Sequence, residues 1–340
     1  MVTYYFSVVI SSYYQMSTLH NFFKPVTRSS TVVVPVSSVV SNVTTIGCDL
    51  SIKNAHPRDS CIIFDEGPHT YTVGKEVMKI SVTGLVHNHF GKFDPEAVFK
   101  GIESKLNDPT YKYYGMTKAQ ILNTWKQSGI KASGDGTKMH NDIEFYLNGL
   151  EVENDSVEFQ YFLNFRRDHP ELIPYRTEWK VFYEELSIAG AIDMVFTTEE
   201  KDVVTGETVE KMWIYDWKRT KEFDHYGGGG NAKWIKYAKT PCFKHIPDTS
   251  YWHYVFQLNT YKKILELKYG KVISGLVLVR LHPDSPDYEL TELPIMHDEI
   301  VDLFQLRRAE MGLEMDPTMV KTGVKVVVPK VDDSFSEPVF

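Results

Sequence analysis

Two apolar runs constrain this chain more than any other feature: Gly190-Ala191-Ile192-Asp193-Met194-Val195-Phe196 and Met212-Trp213-Ile214-Tyr215-Asp216-Trp217-Lys218. Each has the length and composition of a strand, and the polar stretch between them reads as a turn, so the pair forms a hairpin. Strand residues i and i+2 share a face. Asp216 and Lys218 therefore point the same way, and the hairpin brings Asp193 alongside. Two carboxylates and an ammonium on one wall suit a hard divalent cation, Mg²⁺ or Mn²⁺, with a water beside it. That is the equipment of phosphodiester hydrolysis.

The 340 residues are 42% hydrophobic, enough to bury a sizeable core. A net charge of -8 excludes a basic nucleic-acid footprint over the whole chain and leaves only local patches. Cys48, Cys61 and Cys242 are far apart with no CxxC spacing. This argues against a zinc or iron–sulfur site and against a disulfide scaffold, and predicts a reducing, intracellular setting. The compartment stays open between mitochondrion, nucleus and a site of viral replication. No apolar run is long enough to span a membrane. Residues 1–48 contain no Asp or Glu and are rich in Ser, Thr and Val. We therefore expect a disordered or targeting segment over 1–58, a folded domain over 59–315 and an irregular tail over 316–340.

Patterning places the remaining elements. Ile62–Phe64 and His69–Val73 read as a hairpin around Asp65-Glu66-Gly67-Pro68. Ser81 caps a helix carrying Leu85 and Val86, and Thr117 caps another over Lys118–Gln127. Thr137 opens a third, with Met139, His140, Ile143, Glu144 and Leu147 at helical spacing until Asn148-Gly149 stops it. Val157–Arg167 reads as helix, and Arg176–Tyr183 as a strand preceding the central pair. Tyr251–Tyr269 is an amphipathic helix ended by Gly270, Val272–Leu281 a buried strand, and Asp298–Met311 a final helix.

Four stretches occur in a fixed order: Gly136-Thr137-Lys138-Met139-His140 followed by Glu144, then Gly190-Ala191-Ile192-Asp193, Ile214-Tyr215-Asp216-Trp217-Lys218, and Gln257-Leu258-Asn259-Thr260-Tyr261. In these the chain resembles the PD-(D/E)XK nuclease superfamily, in particular its RecB-like exonuclease branch, over roughly residues 60–290. The resemblance implies an α/β fold: a mixed central sheet flanked by helices, a restriction-endonuclease-like core, with an added N-terminal helical region beside the cleft. It implies metal ligation by His140, Asp193, Asp216 and the backbone carbonyl of Trp217. Glu178 then helps to hold the metal or the substrate end, or is a plain exposed acid paired with Arg176 or Lys180. Lys218 orients or deprotonates the attacking water, or stabilises the pentavalent state. Gln257 and Tyr261, at i and i+4, lie against the active strand, contacting DNA or bracing the lysine. Glu144, one turn beyond His140, either hydrogen-bonds it or is solvated. The activity implied is exonucleolytic cleavage of single-stranded or end-bearing DNA in replication, repair or recombination. A structure-specific endonuclease is the nearest alternative, and a non-catalytic nucleic-acid-binding protein on the same fold the next.

Two clusters mix rings and cations, Tyr111-Lys112-Tyr113-Tyr114 and Lys233-Trp234-Ile235-Lys236-Tyr237-Ala238-Lys239. Such mixtures suit stacking on unpaired bases with phosphate contact, and read equally as packing or surface decoration. We take Tyr113, Arg219, Lys233, Trp234 and Lys236 as the candidate DNA contacts. Residues 16–25 resemble a sliding-clamp-binding peptide, with Leu19, Phe22 and Phe23 as its pocket-filling residues and Met16 where the motif has glutamine.

Overall fold

The computed structural model describes residues 49–201, 205–228 and 234–328. Its centre is a six-stranded mixed sheet. β6 (Ile188–Lys201) and β7 (Thr208–Lys218) form the antiparallel hairpin anticipated from their apolar runs, in register Met194↔Tyr215. β5 (Ile173–Tyr183) lies antiparallel on the other side of β6. β8 (Ile273–Arg280) runs parallel to β7, and β9 (Glu289–Glu292) closes that edge. β4 (Ile80–Ser81) pairs in parallel with Ile188 and Ala189. A small separate sheet contains β1 (Ile62–Asp65), β2 (Thr70–Val73) and β3 (Glu76–Val77). The fold is thus α/β, a mixed sheet with helices on both faces.

Helix α1 (Leu50–Lys53) precedes β1; α2 (Val82–His87) and α3 (Pro95–Ile102) lie between β4 and β5. Next come α4 (Lys118–Leu147), α5 (Val157–Asp168), α6 (Ser250–Tyr269) and α7 (His297–Glu310). Alternation along β8 sorts the core. Leu276 and Leu278 face α6 and α7, while Val277 and Val279 face α4 and α5, where Met139, Ile143, Phe162 and Phe165 meet Trp217. A third cluster, Phe99, Ile102, Tyr113, Ile121 and Trp125, holds α3 to the first half of α4 and forms the helical extension.

Several elements depart from their expected form. The two helices read over 118–127 and 137–147 are one, α4, thirty residues long. Gly129, Gly134 and Gly136 break nothing because none adopts a left-handed conformation, and Gly129 and Gly136 are buried. Thr117 does cap it, in a reciprocal capping box with Gln120. α6 is buried on nearly every side rather than amphipathic, since the sheet covers one face while α2 and α7 pack against it elsewhere. Described residues on either side of the 59–315 domain also pack against it, and those after 315 are irregular as expected. Asp49 caps α1, Leu50 is buried, and its N–H bonds Asn148 at the end of α4. After residue 315, Thr322 and Gly323 donate to the Asp298 carboxylate and Val326 donates to Glu299, which straps residues 316–328 onto α7. Among the described residues no helix is long and apolar enough to cross a membrane.

Candidate metal centre

The sheet changes face at one point. Thr177 bonds Asn148 on the α4 side, whereas Trp179 packs in the α6 core; Met194 and Ile192, their partners on β6, divide the same way. The pivot is Glu178, which stands opposite Asp193 with φ 41°, outside the ladder. A left-handed backbone at a non-glycine residue costs about 1–3 kcal/mol and persists only when its surroundings hold it. Here it turns the Glu178 side chain toward Asp193.

β6 and β7 separate beyond Met194↔Tyr215, so the backbone of Trp217 has no strand partner on that side. Side chains take its place. The Trp217 N–H donates to Asp193 Oδ2 at 3.1 Å, and its carbonyl accepts from His140 Nε2 at 2.9 Å. The other ring nitrogen, Nδ1, faces Asp193 Oδ2 at 3.5 Å and Glu178 Oε1 at 3.9 Å. One ligand-type atom from each of His140, Glu178 and Asp193 lies within 4.8 Å of the others. Two carboxylates and an imidazole, with the Trp217 carbonyl adjoining, form a donor set that fits Mg²⁺ or Mn²⁺.

Asp216 is not one of that group, although its charge interacts with Asp193 and His140. It faces α6 with Lys218, as i, i+2 alternation requires, and the two are ion-paired. Both are shielded: the Asp216 side chain is 3% exposed and that of Lys218 16%. The Lys218 ammonium also lies 4.7 Å from the centroid of the Tyr254 ring on α6.

The charges interact strongly. Burial works against the His140 imidazolium, but Asp193 and Glu178 outweigh it and raise its pKa to about 9. Burial and the neighbouring Asp193 push Asp216 up to about 6 despite Lys218. Burial opposes the Lys218 ammonium as well, yet Asp216 and Asp193 hold its pKa above the usual lysine range. Burial and Glu178 raise Glu144, which makes no hydrogen bond to His140.

α6 supplies the facing wall. Tyr261 is buried and hydrogen-bonded by Gln257, and burial keeps its phenol protonated. An alanine Cβ at Gly190 would lie 2.6 Å from the Tyr261 hydroxyl, so only glycine permits this approach. Tyr71 on β2 is the addition that sequence reasoning missed. Burial, with Glu178 and Asp193 nearby, raises its pKa. Its ring packs on Phe64, at 4.6 Å between centroids.

The expected DNA contacts divide. Tyr113 is buried and its hydroxyl accepts from Trp125 Nε1 at 2.8 Å, so its ring is committed to the α3–α4 cluster and not offered to a base. Arg219 is held by Glu158 at 2.6 Å and Asp135 at 3.4 Å, a bridge from β7 to α5 and α4 rather than an open phosphate contact. Trp234 and Lys236 are exposed. Lys233, and Leu19, Phe22 and Phe23 of the clamp-like peptide, lie outside the described residues.

No family model matches the chain, and no curated protein matches it. A solved structure, the crystal structure of SSO0001, is similar over 70% of this chain and 78% of its own, at 16% identity and a TM-score of 0.27. A likeness that slight carries no argument about function.

Proposed function

We propose that this protein is a divalent-metal-dependent nuclease that hydrolyses DNA phosphodiester bonds. The observation that carries the reading is one junction. The His140, Glu178 and Asp193 donors meet where β6 and β7 part, next to the buried Asp216–Lys218 pair. A bound Mg²⁺ or Mn²⁺ supplies charge neutralisation at the phosphate and an activated water. His140 Nδ1, Glu178 and Asp193 would hold it, and the Trp217 carbonyl, which accepts from Nε2, orients the imidazole. The Lys218 ammonium donates to phosphate oxygens as their negative charge grows, and Asp216 fixes that ammonium in place. Gln257 and Tyr261 brace this wall from α6. Resemblance to the RecB-like branch favours trimming from ends over internal cutting.

The test is digestion of end-labelled linear and circular single-stranded DNA with Mn²⁺, Mg²⁺ or chelator. Cleavage is expected only with metal and only on the linear substrate. Asp193→Asn should lower the rate at least about a hundredfold while leaving the fold intact, because it weakens the donor set and the clasp on Trp217. Cutting of the circle would move the assignment to an endonuclease. No metal-dependent cleavage of either substrate would refute the proposal.

A further inference from the structure

Residues 225–247 hold no Asp or Glu and carry four lysines, in a chain of net charge -8. They follow the Asp216–Lys218 strand closely. Their described parts are fixed at several points. The Trp252 indole donates to the His225 carbonyl at 2.8 Å, and the His225 ring lies 3.9 Å from that of Tyr251. On the return, Asp248 N–H donates to the Lys236 carbonyl, Ala238 N–H to Ile246 and Lys239 N–H to His89. Tyr251, Trp252 and the Tyr254 that faces Lys218 all belong to the first turns of α6. The acid-free segment and Lys218 therefore share one end of one helix.

This frame presents rings and cations outward. Trp234 is 65% exposed and Tyr237 48%. Lys236, Lys239 and Lys244 are exposed, and among the described residues none of the three has a carboxylate partner. Cations nearer the strand end are already engaged, Arg219 with Glu158, Lys221 with Asp284 and Arg280 with Glu289. Of the six tryptophans, Trp125, Trp179, Trp217 and Trp252 are buried and Trp213 is half-buried. Trp234 alone is set in solvent.

We propose that residues 234–239 form a track for an unpaired polynucleotide strand leading to the metal centre, with Trp234 and Tyr237 stacking on bases and Lys236 and Lys239 meeting phosphates. The inference rests on the nuclease reading and specifies its substrate. Unpaired bases offer their faces to aromatic rings; bases in a duplex are stacked on one another and offer mainly phosphates. Lysines alone would suit either form, so the two exposed rings decide for the single strand.

Binding of a thymidine homopolymer and of a blunt duplex, measured in chelator by fluorescence polarisation and tryptophan emission, tests this without cleavage. The homopolymer should quench the emission of the exposed indole, and Trp234→Phe should abolish that quench. Trp234→Ala and Tyr237→Ala should each weaken single-strand binding about tenfold and duplex binding less than about twofold. Lys236→Gln with Lys239→Gln should flatten the log–log salt dependence by about 1.4, roughly 0.7 for each phosphate contact on a single strand. Unchanged single-strand affinity in both ring variants would overturn the track, as would equal losses on duplex. Wild-type cleavage with Mn²⁺ is followed alongside. Cleavage with normal binding by the ring variants rejects the track alone, whereas absent cleavage rejects the nuclease reading.

Discussion

Replacing His140 with glutamine removes one titrating group and keeps an N–H able to donate to the Trp217 carbonyl. In the folded protein the His140 pKa lies near 9 against an ordinary 6.5, because Asp193 and Glu178 favour the imidazolium more than burial opposes it. A folded-state pKa above the unfolded value contributes stability that is complete below about pH 6.5 and is lost as pH rises through about 9. The rise corresponds to about 3 kcal/mol in the metal-free protein. Other strongly shifted groups titrate outside that window. Asp216 moves from 3.8 to about 6, and His87 falls to about 4 as burial and His253 disfavour its charge. Urea unfolding of the wild type and His140→Gln in chelator, from about pH 6 to about pH 9.5, isolates the effect. The wild type should lose about 3 kcal/mol more than the variant across that range, and the curves should converge at the alkaline end. Parallel curves would refute the electrostatic account of this cluster.

The remaining predictions concern the site's supports. Gly190→Ala places a Cβ 2.6 Å from the Tyr261 hydroxyl and 2.8 Å from its ring, so urea midpoints should fall by the equivalent of about 1–3 kcal/mol and metal-dependent cleavage should fall with them. Arg219→Ala strips the partly buried Glu158 and Asp135 of their shared cation, at a cost of about 1–2 kcal/mol in denaturant unfolding. It also removes one of the ties between α4 and the end of β7, so Mn²⁺ affinity by titration should weaken severalfold.

The hairpin and its Asp216–Lys218 pair were legible because strand alternation is a local rule. It alone placed Lys218 beside Asp216, and the ion pair follows. The positions of His140, Gln257 and Tyr261 came from motif order on the right elements. Glu178 shows where such reading stops. Its acid was visible, but the sign of its φ, which turns both strands over and aims the carboxylate, is set by tertiary packing and leaves no composition signal. Tyr71 was hidden for a related reason: β2 is half-buried at all four positions, so no face stands out, and its approach to the site depends on how a separate small sheet docks. The split of α4 into two failed because Thr137 was read as opening a helix, whereas it lies inside one whose flanking Gly136 and Met139 are buried. Tyr113 failed because a ring–lysine mixture cannot distinguish an outward ring from one whose hydroxyl serves a buried indole.

The undivided α4 has a mechanical consequence. Trp125 anchors it in the outer helical cluster, and His140 sits fifteen residues further along, about 22 Å at 1.5 Å per residue. The helix is a stiff rod held at two places, in the outer cluster and by Met139 and Ile143 against the sheet. A tilt of about 5° at the outer end carries the imidazole sideways by about 2 Å, enough to break its 2.9 Å bond to Trp217. Load on the outer cluster is thus carried along the rod toward the imidazole, against the local hold of Met139 and Ile143, and a mutation among Phe99, Ile102 and Ile121 should act at long range on a residue it never touches.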